Sequence, residues 1–175
     1  MTGLVHLYCG NGKGKTTAAM GAALRAAGRG RRVLIARFLK TDDSGEVAAL
    51  KQVRGVTLLP CTKSFGFSWN MTEAQKKEAA VYYSSLLEMA WKTASQPQSI
   101  DMLVLDEIAA ACTQGFVSEE RLITLLKNKP EELEVILTGR SPSAELAACA
   151  DYVTEMVMCR HPYEKGIKAR EGIEY

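Results

Sequence analysis

Apolar, β-branched runs alternate with amphipathic stretches along this chain, the order expected of a parallel sheet whose strands are joined by crossover helices. Leu4 to Cys9 reads as a first strand, followed by a glycine-rich turn and a helix from about Thr16 to Ala27 that Gly28 stops. Arg32 to Phe38 forms a second strand around Val33, Leu34 and Ile35. A short helix from Glu46 to Val53 and a strand from Val56 to Leu59 follow. Thr72 with Gln75 makes a capping-box signal, and Ala79, Tyr82, Tyr83, Leu86, Leu87 and Ala90 recur at helical spacing, so the longest helix begins here. The same spacing assigns Tyr82 and Tyr83 to core packing rather than to a cofactor.

Met102 to Leu105 is a buried strand ending in the acidic pair Asp106 and Glu107. Ser118 caps a helix that turns Leu122, Ile123, Leu125 and Leu126 inward until Pro130. Val135 to Leu137 makes another strand, Ser141 and Pro142 open a short helix, and Tyr152 to Met158 is a sixth strand. The remaining tail, Cys159 to Tyr175, carries charges and glycines with little periodicity. It is either a frayed end or a segment ordered over a site, and composition favours fraying. No repeat, low-complexity tract or linker interrupts the pattern, so residues 1–175 are expected to form a single α/β domain.

Composition narrows the class. With 175 residues, 47% hydrophobic and 24% charged, the chain can bury an apolar core without staples, and disorder, collagen-like repeats and coiled coil are poor readings. No apolar run approaches the ~20 residues that span a bilayer, and the N-terminus lacks the flank and cleavage pattern of a signal peptide, which points to the cytoplasm. Five cysteines form an odd count with no C-x-x-C pair and read as reduced thiols without a zinc site. A formal charge of +2 falls short of a dedicated nucleic-acid binder. The cluster Arg29, Arg31 and Arg32, between a helix and a strand, reads as a solvated turn.

Chemistry enters at Gly10-Asn11-Gly12-Lys13-Gly14-Lys15-Thr16-Thr17, which joins a strand to a helix as a phosphate-binding loop must. Glycines let successive backbone N–H groups converge on an anion, the helix N-terminus adds its positive end, and Lys15 neutralises phosphate charge. Thr16 offers a hydroxyl to magnesium. Lys13 is as readily a solvated loop lysine as a phosphate contact. The usual G-x-x-x-x-G-K-[ST] spacing does not quite fit, because Cys9 stands where the first glycine belongs; read from Gly10, the loop is one residue short. Magnesium also calls for a carboxylate at the end of a buried strand, and Leu103-Val104-Leu105-Asp106-Glu107 supplies it. These features imply a P-loop NTPase fold of the RecA-like kind, with a central, mostly parallel sheet flanked by helices, binding ATP or another nucleoside triphosphate with Mg2+.

Further segments, Gly66-Phe67-Ser68-Trp69, Thr138-Gly139-Arg140, Gly166-Ile167-Lys168-Ala169 and Gly172-Ile173-Glu174-Tyr175, together with the loop and Leu105-Asp106-Glu107, resemble the ATP:corrinoid adenosyltransferases over almost the whole chain. The resemblance implies attack of cobalt(I) on C5′ of ATP, giving a cobalt–carbon bond and inorganic triphosphate, with the nucleotide reversed in the shortened loop. The natural corrinoid would be cob(I)yrinic acid a,c-diamide or cobalamin. The nucleophile then belongs to the corrinoid, so no Ser–His or Cys–His pair is needed. Lys15, Thr16, Glu107 and Arg140 are the implied catalytic residues. Gly10 through Thr17 and Arg25 are implied at ATP, and Thr16, Asp106 and Glu107 at Mg2+.

In the family, aromatics matching Phe67 and Trp69 press on the lower face of the corrin ring and ease reduction of cobalt(II). Read without the resemblance, the pair anchors its loop on the core. Arg140 could equally be a turn arginine and Arg25 a surface helix arginine. A reduced flavoprotein as electron donor, a homodimer and an adenosylcobalamin pathway are implied likewise, with no nucleic acid and no membrane partner.

Three departures touch specificity more than chemistry. The chain starts at its first strand where family members often carry an N-terminal cover, Ala109 stands where a polar residue is usual, and Arg37 and Arg170 stand where glutamine is common. Rival readings are a P-loop nucleoside kinase or ATPase, which would release ADP, and a non-catalytic ATP-dependent corrinoid carrier.

Overall fold

In the computed structural model, which describes residues 2–63, 65–66 and 68–174, the aliphatic runs pair into one six-stranded sheet. Its strands are β1 (Val5–Cys9), β2 (Val33–Arg37), β3 (Val56–Leu58), β4 (Met102–Asp106), β5 (Glu134–Thr138) and β6 (Tyr152–Glu155). All are parallel, in the order β3-β2-β4-β5-β1-β6. The helices are α1 (Lys15–Ala27), α2 (Gly45–Leu50), α3 (Glu73–Ala94), α4 (Ile108–Thr113), α5 (Glu119–Lys127) and α6 (Ala144–Ala147).

The central strands are apolar on both faces because helices cover both. Val33, Ile35, Val104 and Ile136 point to α1, where Ala19, Met20 and Ala23 meet them. Leu34, Ala36, Leu103, Leu105, Val135 and Leu137 point the other way, to the larger layer built on α3, α4 and α5. Two-sided burial of this kind is what makes a parallel strand read as a continuous apolar run instead of an alternating one. The predicted capping box at Thr72 is present, with Gln75 reciprocating.

Strand order positions the site. The connection from β1 to β2 skips two strands, so α1 leaves the end of β1 and lies across β5 and β4. Its first turn therefore comes over the C-terminal ends of the very strands that carry Thr138 and Asp106.

The structure departs from the sequence pattern in four places. Helix α4 follows Glu107 directly; its six residues are too few to show a period, and Glu107 enters it through a left-handed conformation (φ 62°). Strand β6 ends at Glu155 rather than Met158, because residues 156–158 leave the ladder to bond the phosphate loop. The tail does not simply fray: it makes a turn at Pro162–Lys165, closed by Gly166, and returns Glu174 to within 3.6 Å of Lys13. The basic cluster is more than a solvated turn, since Arg32 grips Asp101 through Nε and Nη2 and Arg31 lies 3.7 Å from the same carboxylate.

Of the cysteines, all free, Cys9 and Cys61 are buried, Cys112 and Cys149 half-buried and Cys159 exposed. Burial pushes the Cys112 thiol up to about 12 and also raises Cys9 and Cys61. With a thiol-reactive disulfide reagent near pH 8, about where a free thiol ionises, Cys159 should react first. Cys9, Cys61 and Cys112 should stay protected until denaturant exposes them. Reaction of those three at the rate of Cys159 would contradict the packing described.

Candidate functional site

The phosphate loop owes its shape to close backbone approach. A side chain on Gly10 or Gly12 would meet the Met156 carbonyl oxygen at 2.5 or 2.6 Å. Gly12 N donates to that same oxygen, and Met158 N donates to Asn11 Oδ1. Gly14 precedes α1 with φ 111° and no side-chain cap, leaving the helix N-terminus open to an anion. Lys15 is buried and turns back on the loop, its Nζ donating to the Gly10 and Gly12 carbonyls at 2.8 Å each. Burial lowers its pKa, and Arg140 and Lys40 push the same way while Glu107 opposes them. Thr17 and Lys13 are exposed, the latter paired with Glu174.

Beneath the loop lies Asp106, fully buried at the end of β4. Thr16 Oγ1 donates to its Oδ1 at 2.9 Å and Thr138 Oγ1 to the same oxygen at 2.7 Å, while Lys40 Nζ donates to Oδ2 at 2.7 Å. Lys40 Nζ also donates to Thr16 Oγ1 at 2.7 Å. The Glu107 amide donates to Thr138 Oγ1 at 2.7 Å, which holds the unfavourable left-handed turn and leaves the Glu107 carboxyl uncommitted to capping α4. Burial raises the Glu107 pKa and Asp106 adds to it; Lys40, Lys15 and Arg140 pull it down.

The Thr138-Gly139-Arg140 segment now has a physical reading. Thr138 bridges the two acidic residues. Gly139 is obligatory, since a Cβ there would lie 2.6 Å from the Ala110 amide nitrogen and 2.8 Å from the Ala109 Cβ. The methyl of Ala109 is thus part of a buried helix-to-strand contact. Arg140 emerges exposed at the rim of a cavity of about 540 Å3 whose walls include Lys40, Phe65, Trp69, Tyr83 and Glu107.

The aromatic segment divides its labour. Phe65 packs on Tyr82 and Tyr83 at ring separations of 5.8 and 5.7 Å, and Tyr83 is buried against Phe38 and Phe116. Phe65 therefore anchors the segment on the core. Trp69, in a single turn at Ser68–Asn70, is 75% exposed on the cavity rim. Phe67 lies outside the described residues. Tyr83 is a core residue as the spacing implied and also lines the cavity, whereas half-buried Tyr82 packs against the core and its Oη accepts from the Thr62 amide.

Lys15, Thr16, Asp106, Glu107 and Arg140 are thus brought together, with Trp69 across the cavity. Arg25 is not: it is exposed in the last turn of α1, ten residues and roughly 15 Å along the helix axis from Lys15. Sequence reading missed Lys40 and Thr138. A basic residue just past the end of an apolar strand, at the sheet edge where ligands bind in open α/β folds, was the available signal for Lys40.

Thr16, Asp106 and Glu107 offer only hydroxyl and carboxylate oxygens, the donor set of a hard cation, and the Lys40 ammonium already stands on two of them. The residues fit Mg2+.

Removing the Thr138 hydroxyl should be felt in folding. Thr138→Val leaves the Glu107 amide without its acceptor and Asp106 with one donor fewer, which should cost about 1–3 kcal/mol in denaturant unfolding. Thr138→Ser, which keeps the hydroxyl, should lose much less. Equal stability of Thr138→Val and the parent would contradict this network.

A family model described as ATP:corrinoid adenosyltransferase BtuR/CobO/CobP matches residues 1–175. The corrinoid adenosyltransferase of Escherichia coli is 33% identical over 177 residues, covering 99% of this chain and 86% of that protein. That of Salmonella typhimurium is 34% identical, with 99% and 86% covered, and that of Pseudomonas aeruginosa 31%, with 99% and 84%. Among solved structures, a KaiC-like protein from Pyrococcus horikoshii superposes with a TM-score of 0.53 at 17% identity, over 89% of this chain and 73% of that one, a likeness of fold.

Proposed function

The chain belongs to the ATP:corrinoid adenosyltransferase family, and from that membership we propose how its residues carry the reaction. The 5′-deoxyadenosyl group of ATP passes to cobalt(I) of a corrinoid. The cobalt electron pair attacks C5′, the C5′–O bond breaks, and triphosphate leaves with the electrons of that bond. The observation that carries the reading is a shared wall: Lys40, which bonds Thr16 beside the phosphate loop and buried Asp106, also lines, with Glu107 and Arg140, the cavity that Trp69 borders.

Gly10, Gly12 and Gly14 allow the loop amides to close on the triphosphate, and Lys15 exchanges its two carbonyl partners for phosphate oxygens. Negative charge grows on the leaving group as the C5′–O bond breaks, and donors aimed there in advance stabilise the transition state more than the ground state. Arg140 acts from the cavity side. Thr17 and Asn11 line the loop, and Lys13 is free to trade Glu174 for phosphate. Arg25 is left outside these contacts. Thr16, Asp106 and Glu107 would hold Mg2+, which supplies counter-charge to the triphosphate. In this reading ATP is reversed in the shortened loop, with C5′ toward the cavity, so that adenosyl and not phosphoryl is presented for transfer.

The corrinoid is cob(I)yrinic acid a,c-diamide or cobalamin, and an open cavity of about 540 Å3 that takes one face of the macrocycle and leaves its periphery in solvent supports either. Trp69, with Phe67, presses on the lower face of the ring, and a large aromatic left in solvent at a rim supports that role. A reduced flavoprotein supplies electrons for cobalt(II). The exposed edge strand β6, with Tyr152, Val153 and nearby Val157, supports a homodimer. Residues 1–175 act as one domain in the cytoplasm; no helix among the described residues is long and apolar enough to cross a membrane.

Incubation with MgATP and chemically reduced corrinoid should yield adenosylcorrinoid and triphosphate in equal amounts. ADP with no cobalt–carbon product would mean a kinase or ATPase, and corrinoid binding without turnover a carrier. Lys15→Ala should lower kcat by about 100- to 1000-fold, the range for losing a preorganised charge donor. Trp69→Ala should keep its rate with prereduced cobalt(I) corrinoid and lose most of it when starting from cobalt(II) with a reducing partner.

A further inference from the structure

Lys40 is held where its ammonium must meet the proposed metal ligands. Its backbone is fixed from several directions: Cys61 Sγ donates to the Lys40 carbonyl, fully buried Arg37 donates to the Thr41 carbonyl at 2.7 Å, and Arg37 also pairs with Asp42. Asp42 in turn accepts from the Cys61 amide. The adjoining Leu39 takes a left-handed conformation (φ 59°), which directs the chain back toward the cavity. From this anchored turn the four-carbon stem delivers Nζ to Thr16 Oγ1 and Asp106 Oδ2, 2.7 Å from each, with the side chain still 25% exposed.

Charge makes this position hard to share. The Thr16 proton points to Asp106 Oδ1, so one lone pair of its oxygen receives the Lys40 N–H. A divalent ion on Thr16 would have to bind that same oxygen, and on Asp106 a carboxylate that already holds Nζ, so it would stand within a few ångströms of the ammonium. Like charges at that separation repel strongly beside a carboxylate that is wholly buried. Lysine suits such a role because its charge is a point on a flexible stem that can leave without the backbone moving.

We propose that Lys40 is a tethered cation that neutralises Asp106 in the nucleotide-free protein and keeps divalent ions off Thr16 and Asp106 until a polyphosphate draws the ammonium away. Metal uptake is thereby made conditional on the polyphosphate, and the displaced ammonium, which also lines the cavity beside Arg140 and Glu107, becomes a further positive contact for it. The inference rests on the reading of Thr16 and Asp106 as metal ligands, but not on adenosyl transfer.

The test follows Mn2+ binding to the full chain by electron paramagnetic resonance and calorimetry, without any corrinoid. The wild-type protein should bind Mn2+ weakly when alone and saturably when inorganic triphosphate is added. Lys40→Met should bind Mn2+ without triphosphate at least about tenfold more tightly than wild type, the least expected on removing a like charge a few ångströms away. Lys40→Arg, which keeps the charge, should retain the exclusion. Adding Asp106→Asn to Lys40→Met should abolish the gain. Wild-type protein that binds Mn2+ equally well with and without triphosphate would overturn the proposal whatever the variants do, as would an unchanged affinity in folded Lys40→Met. Because the readout uses neither ATP nor corrinoid, a failure here is separable from a failure to make adenosylcorrinoid.

Discussion

The buried carboxylate of Asp106 is the constraint around which the rest of the site is arranged. A charge removed from water needs hydrogen-bond donors and a counter-charge close by. Here they arrive from three other elements: Thr16 from the start of α1, Thr138 from the end of β5 and Lys40 from the turn after β2. Each partner also serves another group. Thr138 accepts from the Glu107 amide, and Thr16 accepts from Lys40. Satisfying one buried anion therefore fixes the mutual placement of four chain segments that are distant in sequence.

A second constraint acts on the other side of the loop. Just past the last paired residues of β1 and β6, Met156 brings its backbone against Gly10 and Gly12 so closely that no side chain would fit. The glycines are required there for two reasons at once. They permit the turn that gathers amide groups around an anion, and they accept a neighbouring strand at van der Waals contact. The tail that follows Met156 is consequently connected to the loop, and Glu174 and Lys13 meet at its far end.

Function grows from the meeting of these two arrangements at one edge of the sheet. The phosphate-loop side carries Lys15 and Lys40, whereas the cavity side is lined by Phe65, Tyr83 and an exposed Trp69. A polyanionic leaving group and a flat apolar macrocycle ask for different surroundings. Glu107 and Arg140 stand where the two surroundings join, which suits a reaction whose breaking bond lies between the two ligands. The same economy appears at Gly139, where close packing of α4 on β5 and exposure of Arg140 come from one short segment.

Much of this was legible in residue order. Strand and helix identities followed from apolar runs and caps, since buried parallel strands and amphipathic helices leave periodic marks; the loop and Asp106-Glu107 were recognisable because phosphate and cation chemistry need those residue types at those spacings. Helix α4 was not legible, because six residues are too few to show a period, and the departure of residues 156–158 from β6 depends on a loop more than a hundred positions away. Nor was Lys40, whose place on Thr16 and Asp106 exists only once β2 lies next to β4. Arg25 carried a family match, yet the axis of α1 takes it away from Lys15 and the loop. The amino-acid sequence alone determined the local elements and the kind of ligand, because both are written in nearest-neighbour spacing. Which side chains share the buried carboxylate was decided only by the tertiary structure, because strand order, not sequence distance, sets what can reach a charge that water cannot.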